Sequence, residues 1–159
     1  TSLRGNIESR IKKVRDNKVD ATLLAYAGIK RLNLKYNDIK FIKIPTSIIL
    51  PAPGQGAIAI MCRKSDKEII NVCKKIDHAI TRTTLNAERA FIKRINGDCF
   101  TPLAALAKIN GHIIEMKGVL FSKDGKFFSE AKVTNSINNP EKAGQSCAEK
   151  VLAIYKKII

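Results

Sequence analysis

Four cysteines are the side chains in this sequence that are best suited to form a covalent bond with a substrate or cofactor. Cys99 differs from the others, because it lies between a predicted helix end and an apolar run, which indicates an accessible turn. Cys62, Cys73 and Cys147 fall within apolar patterns and are predicted to be small hydrophobic residues. With no CxxC pair and only two histidines, the spacing indicates neither a metal site nor a disulfide framework. Cys99 is the candidate functional thiol, and an ordinary loop cysteine is the alternative.

Arginine is scarce, with eight residues, so the positions of the arginines are informative. Arg4 and Arg10 flank the start of a helix that the apolar spacing predicts from Ile7. The free N–H groups of a helix N-terminus, together with guanidinium groups, favour a carboxylate or phosphate; the alternative is that both arginines are solvated. Arg31 follows a predicted buried strand, Ala21 to Ala25, at the edge of an α/β unit where ligands usually bind.

A shaped connection occupies the middle of the chain. Three prolines and Gly54-Gln55-Gly56 precede an apolar run from Ala57 to Met61, which predicts an interdomain crossover that leads into a buried strand. The glycine spacing does not fit a P-loop or a dinucleotide-binding fingerprint, so nucleotide binding is not indicated.

The second half of the sequence predicts a small α+β domain. A helix capped by Thr83 or Thr84 ends at Asn96-Gly97, and Glu88 is expected to be a solvated residue of that helix. Three antiparallel strands follow, separated by the dipeptides Asn-Gly at 110–111 and Asp-Gly at 124–125, which favour type I′ turns. An amphipathic helix closes the chain from Pro140 to Ile158. Its expected inner side comprises Ala143, Cys147, Val151, Leu152 and Ile154.

Composition restricts the kind of protein that this chain can be. The formal net charge of +15 and the pI of about 9.9 predict an anionic partner. No apolar run approaches the ~20 residues that span a bilayer, and no signal-peptide pattern is present, so a cytoplasmic protein without a membrane partner is expected. The first residue is a threonine within an apparent strand end, which predicts a fragment or a processed piece of a longer fold.

Five stretches resemble, in the same order, blocks of the porphobilinogen deaminases, also called hydroxymethylbilane synthases. They are LRGNIESRIKKV, DATLLAYAGIKRL, LPAPGQGAIAI, AERAFIKRINGDCFTPLAALAKI and GVLFSKDG. The resemblance extends over essentially all 159 residues and corresponds to the C-terminal part of that three-domain enzyme. It implies a transferase of porphyrin and haem biosynthesis that condenses porphobilinogen head to tail on a dipyrromethane primer. Each step releases ammonia, and the product is the linear tetrapyrrole hydroxymethylbilane.

The resemblance also implies roles for individual residues. By position, Cys99 is the thioether anchor of the dipyrromethane cofactor. Arg4, Arg10 and Arg31 match arginines that bind the carboxylates of the cofactor, of porphobilinogen and of the polypyrrole intermediates, and Gln55 matches a glutamine near the cofactor. The family's catalytic aspartate lies in a more N-terminal portion, and no acid here matches it. No catalytic residue is therefore expected in this chain, which is expected to be inactive without that portion.

Domain boundaries follow from the same resemblance. Residues 1–44 correspond to the end of the second, α/β domain, 45–56 to an interdomain hinge, 57–79 to a return segment of the first domain with a second crossover, and 80–159 to the C-terminal cofactor-attachment domain. The family is usually monomeric. A first-domain strand that lacks its sheet neighbours exposes apolar surface, so self-association of this chain is expected.

The sequence departs from the family pattern beside the thiol. Asp98 stands where the family often has glycine, and Phe100-Thr101 replace the commoner Gln-Val. An aspartate next to Cys99 is expected to disfavour the thiolate.

Two other functions remain as alternatives. The charge is compatible with a nucleic-acid-binding module, although aromatic residues make up 6% of the chain and no RRM, KH or zinc-finger pattern occurs, so no nucleic-acid partner is expected. The other alternative is a non-catalytic remnant that keeps the fold as a binding partner.

Overall fold

The chain folds as two compact units, which are described separately. The structure is a computed structural model that describes residues 1–158, and the two units are Thr1–Pro45 and Thr46–Ile159.

The first unit contains two helices, α1 (Ile7–Arg15) and α2 (Tyr26–Arg31). The predicted helix at Ile7 is confirmed: the Asn6 side chain caps it by accepting a 2.8 Å hydrogen bond from the Ser9 N–H. Ile11 on α1 is the buried residue of this helix, which agrees with the apolar spacing that predicted it.

The strand predicted at Ala21 to Ala25 is wrong. These residues are extended but join no ladder, and Tyr26–Arg31 continues as a helix through Gly28 instead of turning there. A β-strand requires a hydrogen-bonded neighbour, and Thr1–Pro45 contains no other strand to supply one.

The second unit is a three-stranded sheet that packs against two long helices. Its helices are α3 (Lys67–Lys75), α4 (Ala79–Ile95) and α5 (Pro140–Ile158), and its strands are β1 (Leu103–Asn110), β2 (Ile113–Phe121) and β3 (Phe128–Ser136). The strands are antiparallel in the order β1-β2-β3, so the predicted meander is confirmed. Helix α3 was not predicted from the sequence.

The core lies between one face of the sheet and helices α4 and α5. Its fully buried side chains include Phe91, Ile114, Met116, Cys147 and Val151. The other sheet face carries charged cross-strand pairs, such as Lys117 with Glu130 at 3.1 Å. This alternation follows from the two-residue period of a strand with one buried face.

Several boundaries differ from the predictions. Helix α4 begins at Ala79 with His78 as its N-cap, and the hydroxyl groups of Thr83 and Thr84 bond back to helix carbonyls instead of capping. The helix end is confirmed, because Asn96 adopts the left-handed conformation with φ 59°. On α5 the predicted inner side is confirmed except at Ile154, which is 40% exposed.

The hairpin turns are not of type I′. The β1–β2 loop has a positive φ at Gly111 and not at His112, whereas type I′ requires it at both positions. The β2–β3 loop is longer than two residues, since Phe121 pairs with Phe128. The side chain of Asp124 organises this longer loop by accepting hydrogen bonds from the Ser122 hydroxyl and the Lys126 N–H.

The buried strand predicted at Ala57 to Met61 is also wrong. The segment is irregular, and Ile58, Ile60 and Met61 are 71%, 59% and 96% exposed. The pattern of this segment is that of a strand, but within residues 46–158 it lies beside no strand that could pair with it. The expected exposed apolar surface is therefore present.

Candidate functional site

Cys99 lies in a tight turn between the end of α4 and the start of β1, and its side chain is exposed. The Asp98 carboxylate organises this turn: Oδ1 accepts hydrogen bonds from the N–H groups of Phe100 and Thr101, both at 2.9 Å, and from the Thr101 hydroxyl at 2.8 Å. The Asp98 N–H in turn donates to Thr101 Oγ1 at 2.9 Å. The hydrogen-bonded turn thus exposes the Cys99 thiol to solvent.

Asp98 and Thr101, two residues expected to depart from the family pattern, contact each other. The hydrogen bond from the Thr101 hydroxyl, followed by that from the Phe100 N–H, holds the pKa of Asp98 below its usual range. The charged Asp98 carboxylate is therefore hydrogen-bonded to N–H and O–H groups of the same turn. Its expected effect on the Cys99 thiolate stays a prediction.

The other cysteines differ in exposure. Cys147 is fully buried on α5, as predicted, and burial raises the pKa of its thiol to about 11. Cys62 is exposed, so its assignment as a small buried hydrophobic residue is wrong, and Cys73 is partly exposed on α3. Desolvation and the neighbouring Cys73 raise the pKa of the Cys62 thiol. Among the four thiols, Cys99 is the exposed one that a turn presents.

Arg10 ties α1 to the extended segment that precedes α2. Its Nη2 donates to Thr22 Oγ1 at 3.1 Å and to the Leu23 carbonyl at 2.9 Å. Its Nε is buried and has no hydrogen-bond partner among the described residues. A buried donor without an acceptor costs about 1–3 kcal/mol, so this N–H lowers the stability of the contact between α1 and the segment before α2.

The other two predicted arginines are exposed. Arg4 precedes α1 and Arg31 ends α2, and both belong to the first unit with Arg10. Neither Arg4 nor Arg10 forms a salt bridge with an acidic residue in the part of the chain that the structure describes. By contrast, Arg15 in the same unit pairs with Asp38 at 2.6 Å. The positive charges of Arg4 and Arg10 are therefore not neutralised within residues 1–158.

Gln55 lies in the second unit, in a turn formed by residues 52–56. The side-chain Oε1 of Gln55 accepts a 3.2 Å hydrogen bond from the Ala52 N–H, and the backbone N–H of Gln55 donates to the Ala52 carbonyl at 3.0 Å. Gly54 and Gly56 have φ values of 75° and 89°, which explains why glycine occupies both positions. The side-chain oxygen of Gln55 thus stabilises its own turn.

Glu88 is a buried carboxylate near the predicted site residues whose environment the sequence reasoning missed. It was expected to be solvated, but it is only 7% exposed. Its Oε2 accepts from the Gly54 N–H at 2.6 Å and its Oε1 from the Ala107 N–H at 2.9 Å. Burial raises the pKa of Glu88, and the two N–H groups oppose that shift. No local signal could have indicated this burial, because the two partners lie 34 and 19 residues away.

The predicted site residues are divided between the two units. Arg4, Arg10 and Arg31 belong to Thr1–Pro45, whereas Gln55 and Cys99 belong to Thr46–Ile159. The first group offers guanidinium donors for carboxylates, and the second offers a thiol for covalent attachment. Residues 1–158 hold no cluster of three or more His, Cys, Asp or Glu residues that could bind a metal. None of the described helices is long and apolar enough to cross a membrane.

Two family models match the chain. The model described as "Porphobilinogen deaminase, dipyromethane cofactor binding domain" matches residues 1–71, and "Porphobilinogen deaminase, C-terminal domain" matches residues 82–153. The first match includes the three arginines and Gln55, and the second includes Cys99.

Curated relatives agree with these matches. A porphobilinogen deaminase of Carboxydothermus hydrogenoformans is 40% identical over 150 residues, which are 94% of this chain and 48% of the relative. A probable porphobilinogen deaminase of Nitrosopumilus maritimus is 42% identical, covering 94% of this chain and 47% of the relative. A porphobilinogen deaminase of Listeria monocytogenes is 38% identical, covering 95% and 48%. The chain spans about half the length of these relatives. Because the two models together account for most of its residues, the chain belongs to the porphobilinogen deaminase family.

Proposed function

We propose that this chain is part of a porphobilinogen deaminase that builds hydroxymethylbilane by head-to-tail condensation of porphobilinogen. The observation that carries the proposal is the exposed Cys99 in its ordered turn, at the family's anchor position, in a chain that both family models match. Dipyrromethane is the cofactor, and Cys99 is its point of attachment. When bound, this cofactor would offer the free α-carbon of its terminal pyrrole to the first porphobilinogen unit, and each later unit would join the pyrrole added before it.

The chemistry of attachment fits an exposed thiol. When an aminomethylpyrrole is captured by the Cys99 sulfur, a carbon–sulfur bond forms and the carbon–nitrogen bond to the amino group breaks. The thiol proton leaves with the nitrogen as ammonia, so no oxidant or reductant is needed. Sulfur is a soft nucleophile and the resulting thioether is stable, so the group remains attached as an anchor.

The arginines fit the charge of the ligand. Each pyrrole unit carries an acetate and a propionate, so the bound chain is a polyanion that grows with every addition. The exposed guanidinium of Arg4, which has no acidic partner among the described residues, is an available donor for these carboxylates. Arg10 and Arg31 are assigned the same role from their family positions. Gln55 is assigned to the neighbourhood of the cofactor on the same ground.

The chain is further proposed to be inactive without the rest of the family's length. None of its acidic residues matches the family's catalytic aspartate, and the residues named above bind, orient and anchor. The proposed partner is the N-terminal portion of the enzyme, and the proposed location is the cytoplasm. The domain boundaries at 1–44, 45–56, 57–79 and 80–159 belong to the same proposal.

Mass spectrometry tests the anchor directly. The chain is incubated with porphobilinogen and with a polypeptide comprising the N-terminal half of the Carboxydothermus relative, and its intact mass is then measured under denaturing conditions. We expect an adduct of two pyrrole units that peptide mapping places on Cys99 and that the Cys99→Ser variant lacks. An adduct on Cys62, Cys73 or Cys147, or none at all, would overturn the assignment.

Product formation tests the requirement for the other half. Hydroxymethylbilane is expected from the mixture of both polypeptides, but not from the chain alone and not from the mixture containing Cys99→Ser. Formation of product by the pure 159-residue chain would contradict the proposed inactivity.

A further inference from the structure

Glu88 is a buried carboxylate that the proposed chemistry does not use. It lies on α4, one residue after the fully buried Ala87, and it has no ionic partner among the described residues. A buried carboxylate is costly unless hydrogen bonds compensate it, so its two N–H partners indicate what it is for.

The two oxygens of Glu88 bond to different parts of the second unit. Oε1 accepts from Ala107 on β1, and Oε2 accepts from Gly54 in the turn of residues 52–56. Glu88 is the acceptor for both N–H groups among the described residues, because the N–H of Ala107 points away from β2 at the edge of the sheet and Gly54 lies in a loop. Glu88 therefore joins a helix, a strand edge and a turn with one side chain.

Further contacts hold the same turn against the same elements. The Ala105 N–H on the edge of β1 donates to the Pro51 carbonyl at 3.1 Å. A Cβ atom added to Gly54 would come within 3.3 Å of Leu85 Cδ2 on α4, so the turn packs closely on that helix. The segment from Pro51 to Gly54 is thus fastened to β1 and to α4.

These two elements flank the Cys99 turn, since α4 ends at Ile95 and β1 begins at Leu103. We propose that Glu88 is a positioning residue that fastens the Pro51–Gly56 turn to α4 and β1, so that Gln55 and Cys99 belong to one rigid body. Within the proposed hinge of residues 45–56, bending is then confined to residues 45–50. The contact itself is independent of the proposed function, and its relevance to the cofactor rests on that function.

Hydrogen exchange of single backbone amides in the whole chain tests the contact. In Glu88→Ala, the amides of Gly54, Ala107 and Ala105 are expected to exchange at least tenfold faster, while those of β2 and β3 keep their rates. In Glu88→Gln, one side-chain oxygen remains, so one of the Gly54 and Ala107 amides is expected to stay protected and the other to lose protection. The matched control is Glu149→Gln, which removes an exposed carboxylate paired with Arg94 and is expected to change none of these amides.

General destabilisation predicts a different pattern, because it would accelerate exchange throughout the sheet and both helices by a similar factor. That uniform pattern, or unchanged rates at Gly54 and Ala107 in Glu88→Ala, would overturn the proposal. A missing adduct on Cys99 in the unsubstituted chain would instead contradict the proposed function and leave the exchange result standing.

A distance measurement tests the rigid body. Spin labels are attached to Ala52→Cys, an exposed position of the same turn, and to Phe100→Cys in a background of Cys62→Ser, Cys73→Ser and Cys99→Ser, and pulsed electron paramagnetic resonance records the distance distribution. A single narrow distribution is expected with Glu88 present, and a clearly broader one with Glu88→Ala. A broad distribution with Glu88 present, or the same width in both proteins, would show that the turn and the Cys99 loop do not move together.

Discussion

At the scale of single residues, Asp98 and Thr101 determine how the turn that carries Cys99 is closed. Both were expected to depart from the family pattern, and together they form the hydrogen bonds that close the turn. A glycine at position 98 could not make the side-chain bonds. We expect this turn to be more ordered than the same turn with glycine at position 98, because the Asp98 carboxylate satisfies three donors at once.

The Asp98 turn has a defined pH dependence. Because hydrogen bonds hold the pKa of Asp98 below its ordinary value of 3.8, the turn is stabilised above that pH, and the stabilisation is lost as the pH falls through the lowered pKa. The amide proton shifts of Phe100 and Thr101 are therefore expected to titrate together below pH 3.8. In Asp98→Asn, whose side-chain oxygen can accept the same bonds, the titration disappears and the turn remains, whereas Asp98→Ala loses both.

Two-dimensional NMR of the labelled chain makes this measurement, and Asp124→Asn is the matched control, since Asp124 organises a different loop. A titration at Phe100 and Thr101 that persists in Asp98→Asn would rule out Asp98 as its source. Equal mobility of the turn in Asp98→Asn and Asp98→Ala would show that the side-chain oxygen does not hold it.

At the scale of elements, the sequence predicted those parts of the fold whose signals are local. The three strands were predicted from the Asn-Gly and Asp-Gly dipeptides that separate them, and the end of α4 from Asn96-Gly97, where Asn96 adopts the left-handed conformation. The segments 21–25 and 57–61 have the composition of strands, but a strand also needs a neighbour, which composition cannot report.

In the candidate site, too, local sequence signals predicted some residues correctly and missed others. Cys99 was predicted to be exposed because a helix end and a turn are visible in the sequence, and the structure confirms that exposure. Glu88 was misjudged because charged residues on helices are usually solvated, and its burial depends on donors from distant parts of the chain. Non-local hydrogen bonds are the information that the pattern of residues along the chain does not contain.

The contact between α4 and α5 depends on a glycine. A Cβ atom added to Gly144 on α5 would collide with the backbone carbonyl oxygen of Ala87 on α4, which side-chain rearrangement cannot relieve. Gly144→Ala is therefore expected to destabilise the second unit by about 1–3 kcal/mol, the usual cost of overpacking a core. Urea denaturation followed by the circular dichroism of the helices measures this change in the free energy of unfolding.

The control for this substitution is Gln145→Ala, at the next position of α5, where the side chain is exposed. Because alanine favours helix, that variant is expected to change stability little or to increase it slightly. If Gly144→Ala were as stable as Gln145→Ala, the two helices would have room to separate, and the close approach would not be needed for stability.

At the scale of the whole molecule, the net charge predicts an anionic ligand, and the exposed apolar surface predicts association with another protein surface. The net charge of +15 includes Arg4 and Arg10, which have no acidic partner within residues 1–158, and a polycarboxylate ligand matches this excess. Exposed apolar side chains also occur on the segment 57–61 and in or next to α3, where Ile69, Val72 and Ile76 are 44%, 53% and 65% exposed. Six exposed apolar side chains thus occur within the range 57–79, which the sequence analysis assigned to a return segment of the first domain: Ile58, Ile60, Met61, Ile69, Val72 and Ile76.

This surface predicts that the chain associates with itself when it is alone. Burying a large aliphatic side chain contributes about 1.5–3 kcal/mol, so several such side chains supply enough free energy for dimers at micromolar concentration. Multi-angle light scattering over a dilution series is expected to show a mass above that of the monomer, which is 17.6 kDa.

Substituting Ile58→Lys and Ile60→Lys together is expected to shift the chain toward monomer, because each lysine adds a charge that must stay hydrated. Ile154→Lys, at a 40% exposed position of α5, is the control and is expected to leave the mass unchanged. A monomeric mass at every concentration, or an equal effect of Ile154→Lys, would contradict association through the 57–61 segment.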